Sequence, residues 1–294
     1  MIISASRRTD LPAHYAEWLV NRFCEGYALV RNPMRPHQVS KVLLDPQHVE
    51  GIVFWTKNPA PMLPYLERFA TYPYYFQYTL TSYGKEMEPG VPQKAGEGIT
   101  TFQKLSDHIG SERVIWRYDP ILLSPHYSLS YHLRYFEQIA RRLEGYTKVC
   151  VISFLDEYPA IERQMHRLEV RGVLPSEMQS LAQQMAQIAA AHQMRIATCA
   201  EQIDLQAYGI HHGRCVDAKL LSKLAGKPVK ARKDPAQRLA CGCAASVDLG
   251  AYGACYGGCK YCYARGGSRA AQHQPGSPFL LGEACEGDIV RERI

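Results

Sequence analysis

The feature that most constrains this chain is an alternation of short apolar runs with stretches of helix formers over its first 200 or so residues. The runs are IISAS (2–6), YALVRN (27–32), GIVFWTK (51–57), YYFQYTLT (74–81), RVIWRYD (113–119), KVCVISFLD (148–156) and MRIATCAE (194–201). Each is rich in β-branched or aromatic residues, the composition of strands buried on both faces. Between them lie helical segments at 12–22, behind a candidate N-cap at Asp10, and at 61–69, 100–109, 131–143 and 175–192. Strand–helix alternation of this kind dictates a parallel sheet with crossover helices. The number of repeats favours an α/β fold of the complete or partial (β/α) barrel type over an open doubly wound sheet.

In such folds the C-terminal ends of the strands form the functional rim. Polar residues gather there: Ser6, Arg7, Arg8, Thr9 and Asp10, then Thr56, Lys57 and Asn58, then Gln77 and Thr79, and further on Arg117, Asp119, Ser153, Asp156 and Glu201. Any one of them could be a helix cap or a loop residue. Arg117 and Asp119 are harder to dismiss, because they lie two apart on one strand face and an ion pair buried there is costly without further partners.

After about residue 205 the composition changes to Gly, Cys and short polar links. We therefore expect a barrel core over 1–205 and a Cys-rich segment over 206–294 packed on it as one unit. Of ten cysteines, five fall between Cys241 and Cys262. The N-terminus shows no secretory pattern and no run is long and apolar enough to span a membrane, so a cytoplasmic protein is expected. Clustered thiols in a reducing compartment bind metal or do redox work more often than they form disulfides. The net charge of +6 permits a nucleic-acid partner without requiring one.

The strongest signal is Cys255-Tyr-Gly-Gly-Cys259-Lys-Tyr-Cys262. Three thiolates can hold three irons of a [4Fe–4S] cubane and leave the fourth open to a chelating ligand. Structural zinc usually takes C-x₂-C pairs and four ligands, and a ferredoxin run supplies a fourth cysteine within a few residues. The glycines at 257 and 258 let the backbone wrap closely, and Tyr261 can lay a ring beside a purine. A second set, Cys199, Cys215, Cys241 and Cys243, could hold another cluster, a zinc ion or nothing. Cys24 and Cys150 read as ordinary buried thiols.

CYGGCKYC resembles the C-x₃-C-x-aromatic-C loop of the radical S-adenosylmethionine superfamily, and the longer stretch 253–265 is similar to that loop in spore photoproduct lyase-like proteins. The whole chain resembles an uncharacterised domain-of-unknown-function family carrying this loop near its C-terminal end, with ISASRRTD, VFWTKNP and VIWRYDPIL belonging to the resemblance. The resemblance implies that Cys255, Cys259 and Cys262 bind the cluster, that S-adenosylmethionine chelates its open iron, and that Tyr261 contacts the adenine region. It implies an enzyme that takes an electron from a donor such as flavodoxin or ferredoxin and cleaves S-adenosylmethionine to a 5′-deoxyadenosyl radical. Arg7, Arg8 and Lys57 are then candidates for cofactor binding, and Arg117 and Asp119 for the chemistry on an unnamed substrate, with nucleic acid among the options. The alternative is a non-catalytic iron–sulfur or zinc protein in which Cys285 completes a closed ligand set.

In the superfamily the loop follows the first strand, whereas here it lies about 30 residues from the end. A circular permutation reconciles the two: residues 245–250 would form the strand that carries the loop, paired beside 2–6.

Overall fold

The computed structural model describes residues 1–92, 94–156, 158–265 and 272–293. Its strands are β1 (Ile2–Ala5), β2 (Tyr27–Arg31), β3 (Gln38–Leu43), β4 (Gly51–Thr56), β5 (Tyr74–Thr79), β6 (Val114–Ile121), β7 (Val149–Phe154), β8 (Arg195–Thr198), β9 (His211–His212), β10 (Val247–Asp248) and β11 (Ile289–Arg293). Eight of them form one parallel sheet in the order β10-β1-β4-β5-β6-β7-β8-β9. This is an α/β fold compatible with a partial (β/α) barrel. Among the described residues its outer strands β10 and β9 do not pair with each other, so the closed form is not reached.

The expectation for 245–250 holds in its pairing. β10 lies parallel to β1, with Ile3 opposite Val247 and Ser4 opposite Asp248. The expectation for 27–32 is corrected. β2 lies outside the large sheet, in a second sheet of order β11-β3-β2, where it runs antiparallel to β3. Only Ala28 of this strand is fully buried, whereas β1, β4, β5 and β7 of the large sheet are buried almost throughout. Asn32–His37 is short enough to turn the chain directly back, and that favours a hairpin over a crossover. The C-terminal strand β11 joins the same small sheet through β3, and Arg31 Nη1 meets Asp288 Oδ1 at 2.5 Å across it.

The helices follow the expected segments with two differences. The first breaks at Tyr15 (φ −139°) into α1 (Leu11–His14) and α2 (Ala16–Glu25). Residues 60–69 form a 3₁₀ helix, in keeping with prolines at 59, 61 and 64 that remove ladder donors. α3 (Ile99–Ile109), α4 (Leu129–Leu143) and α6 (Pro175–Ala191) are crossover helices, with the short α5 (Glu162–Arg167) between the last two. Their apolar stripes cover one face of the sheet, where Ile3, Ile52, Phe54, Phe76, Trp116 and Cys150 are almost fully buried.

The opposite face starts apolar, with Ile2, Val53, Tyr75, Ile115 and Val151. It is covered by Val216, by α7 (Ala218–Ala225) through Leu221, and by Val229. Further along the same strands this face turns polar: Trp55, Gln77, Arg117, Asp119, Ser153 and Cys199 occupy the alternate positions toward the C-terminal ends. The period of two places them all on one side. No helix among the described residues is long and apolar enough to cross a membrane.

Candidate functional site

The C-terminal ends of the strands and the loop after β10 enclose a cavity of about 350 Å³. The loop reaches it because β10 is firmly seated. The Asp248 carboxylate accepts hydrogen bonds from Ser6 Oγ (2.6 Å), the Arg7 amide (2.8 Å) and Arg8 Nε (3.1 Å). Gly250 passes so close to β1 that a Cβ there would lie 2.1 Å from Ser6 Oγ. Thr9 then holds Ala251, and Tyr15 Oη donates to the Ala254 carbonyl at 2.6 Å. The cysteine loop docks on residues 84–91 through Gly90 N–H to Gly257 O (3.0 Å) and Lys260 N–H to Met87 O (2.9 Å). A Cβ on Gly90 would come within 2.4 Å of the Tyr256 carbonyl, so only glycine admits this approach.

Cys255, Cys259 and Cys262 all face the cavity. A Cβ built on Gly257 would stand 3.4 Å from Cys255 Sγ and 3.8 Å from Cys259 Sγ, so this glycine lies against both sulfurs. The Gly257 N–H points at Cys255 Sγ (3.4 Å). Burial pushes the Cys255 thiol up to about 11 and the Cys259 thiol up to about 12, with the neighbouring thiols adding to both and Lys57 opposing the shift at Cys259. At neutral pH these raised values keep the thiols protonated, and ligating a metal would require their deprotonation. The donor set fits an iron–sulfur cluster in kind and number. Among the described residues no three His, Cys, Asp or Glu side chains are grouped to hold a single ion. One thiolate per iron of a cluster is a wider arrangement than a single ion takes.

Two buried charge networks flank the triad. Glu88, 1% exposed, accepts from Lys57 Nζ (3.0 Å), from Thr81 Oγ1 (3.0 Å) and from the Tyr261 hydroxyl. Burial opposes the Lys57 charge, but Glu88 and the Cys259 thiol hold the ammonium above its usual range. The same ammonium lies 5.5 Å from the centre of the Tyr261 ring, whose other neighbours include Tyr83 at 5.8 Å. Across the cavity Arg117 pairs with Asp119, which also accepts from Ser153 Oγ. Burial works against the Asp119 charge, and Arg117 keeps its carboxyl below the ordinary range nonetheless. Trp55 lies beside both Arg117 (5.3 Å) and Arg7 (5.5 Å), so its ring carries two guanidiniums.

The structure brings most of the sequence-predicted residues to this cavity: Arg7, Arg8, Lys57, Arg117, Asp119 and Tyr261 line it with the triad, and so do Cys199, Cys215, Cys241 and Cys243. Arg7 and Arg8 are engaged in holding β10, through Ser246 Oγ (3.3 Å) and Asp248 respectively. Cys285 does not line the cavity. It is exposed, 3.9 Å from Arg31 Nη2. Cys150 is fully buried as expected, whereas Cys24 is exposed on α2, a correction to its reading as a core thiol. Sequence reasoning missed Glu88, Trp55, Arg238 and Tyr263. Trp55 alone carried a signal, since it sits two residues after Val53 on the same strand face.

Glu201, just past β8, accepts the Phe154 N–H at 2.9 Å, and burial pushes its carboxyl up to about 7. Its stabilising contribution is complete below its unfolded value of 4.5 and is lost as pH rises through about 7. Glu201→Gln is expected to flatten the decline in thermal midpoint between about pH 5 and about pH 8. An unchanged slope in differential scanning fluorimetry would count against this assignment.

The family model described as a domain of unknown function (DUF1848) matches residues 2–264. No curated protein matches the chain.

Proposed function

The chain belongs to the DUF1848 family, and from that premise we propose that it is a radical S-adenosylmethionine enzyme whose cluster ligands are Cys255, Cys259 and Cys262. The observation that carries this reading is the meeting of these three thiols with the polar strand ends in one cavity at the C-terminal rim of a parallel sheet. A [4Fe–4S] cluster with one open iron, when bound, supplies reductive cleavage of S-adenosylmethionine to a 5′-deoxyadenosyl radical.

The protein's own residues would do the rest. The Lys57 ammonium, oriented by Glu88, offsets negative charge accumulating on the thiolates. Tyr261 is fixed by its hydrogen bond to Glu88 and keeps the last turn of the loop against the protein. Tyr263 packs near Tyr158 (5.7 Å) at the cavity wall and donates to the Arg7 carbonyl at 3.3 Å, which favours exclusion of water. Arg117 and Asp119 stand where a substrate would meet them, and their partnership with Ser153 keeps both oriented. A closed, non-catalytic site would need a fourth protein ligand at the triad. The position of Cys285 outside the cavity favours the catalytic reading over that alternative.

The test is anaerobic reconstitution with iron and sulfide, followed by dithionite and S-adenosylmethionine. Formation of 5′-deoxyadenosine is expected. A reconstituted protein with full iron content that forms none above the no-protein background would overturn the reading.

A further inference from the structure

The thiols left over by the proposed function are not scattered. Cys199 follows β8, Cys215 follows β9, and Cys241 and Cys243 precede β10, yet the fold packs the four together at the cavity wall. Cys199 Sγ and Cys215 Sγ are 3.1 Å apart. Cys243 Sγ accepts from the Cys215 amide at 3.2 Å. The four cysteines, drawn from three separate stretches of chain, thus make a row of residues along one cavity wall.

Three features mark the row as more than core packing. Cys215, Cys241 and Cys243 are 2%, 6% and 4% exposed, so three of the four thiols are buried. Two backbone amides, those of Cys215 (3.2 Å) and Val216 (3.4 Å), point at Cys243 Sγ. A buried cation also meets the row, for Arg117 Nη1 lies 2.8 Å from Cys215 Sγ.

The backbone around the row is correspondingly fixed. The Cys215 carbonyl accepts from Tyr75 Oη (2.6 Å) and Gln77 Nε2 (3.0 Å), and Ala244 N–H is bonded to Val216 O (2.9 Å).

We infer that Cys199, Cys215, Cys241 and Cys243 are the ligands of a second metal centre, closed by four thiolates and facing the same cavity as the triad. Among the described residues no three such side chains are grouped around a single ion, so binding would have to bring the four sulfurs closer together. Four thiolates serve an iron–sulfur cluster or a zinc ion, and the experiment separates the two. The inference does not depend on the radical chemistry proposed for the triad.

The test uses the full chain with Cys255, Cys259 and Cys262 all changed to alanine, isolated anaerobically and analysed for iron, acid-labile sulfide and zinc. The expected result is one remaining centre, seen as about four irons with sulfide or as about one zinc per chain. Adding Cys243→Ser is expected to remove it. A triple variant that folds, judged by circular dichroism, yet holds no stoichiometric metal overturns the inference. So does metal that persists unchanged after Cys243→Ser. If the triple variant fails to fold, Cys243→Ser in the otherwise native chain gives the same answer, as loss of one centre's metal and no more. Failure here with 5′-deoxyadenosine still formed by the native protein leaves the proposed function standing. A retained second centre without that product overturns the proposed function alone.

Discussion

Cys259→Ala is expected to abolish 5′-deoxyadenosine formation while leaving the fold intact. Lys57 and Glu88 both act on the Cys259 thiol, which is 8% exposed. Removing its sulfur takes away one of three iron ligands and leaves a cluster site with two, fewer than a stable cubane of this type uses. The void is small, and the loop keeps its backbone bonds to residues 84–91, so the destabilisation expected is about 1–2 kcal/mol. Product analysis by liquid chromatography and iron content measured on the same preparation check both halves. Product at the native rate with native iron would exclude Cys259 as a ligand. Loss of product together with a collapsed thermal transition would mean that the variant reports on folding instead.

The largest effect on stability is expected from Asp119→Ala. Arg117 is 4% exposed and its guanidinium meets Asp119, Gln77 and Cys215 without reaching bulk water. Deleting the carboxylate leaves that charge uncompensated in a buried site, at a cost of about 3–5 kcal/mol. Asp119→Asn is expected to cost less, because its amide oxygen can still accept from Arg117 while the amide nitrogen donates to Ser153 Oγ. The discriminating variant is Arg117→Met combined with Asp119→Leu, which removes both charges at once. It is expected to recover part of the loss seen with Asp119→Ala. Urea unfolding followed by tryptophan fluorescence measures all three. If the double variant is no more stable than Asp119→Ala, the cost lies in packing and not in the stranded charge.

Most of the large sheet was legible in the sequence, because β-rich apolar runs separated by helix formers have one economical solution, the parallel sheet with crossovers. The Arg117–Asp119 pair was legible as well, from strand periodicity alone. The runs at 27–32 and 38–43 were not. The first is apolar enough to pass for a buried strand, but apolarity does not say which sheet a strand joins, and pairing partners are long-range choices. Glu88 gave no signal at all. It sits in an irregular loop, and its importance comes from burial beside Lys57 and Tyr261, residues 31 and 173 positions away.

The Cys255–Cys259–Cys262 spacing was fixed by the sequence alone, because ligands this close along the chain need only a short loop to converge. The tertiary structure decided everything that depends on distant segments meeting. The pairing of 245–250 beside 2–6 was expected from the late place of the loop, but only the tertiary structure shows what holds it, the Asp248 carboxylate under Ser6, Arg7 and Arg8. The tertiary structure also gathered Cys199, Cys215, Cys241 and Cys243 at one wall. The physical reason is range: spacing governs what a loop can hold, whereas burial and strand pairing govern which loops face one another.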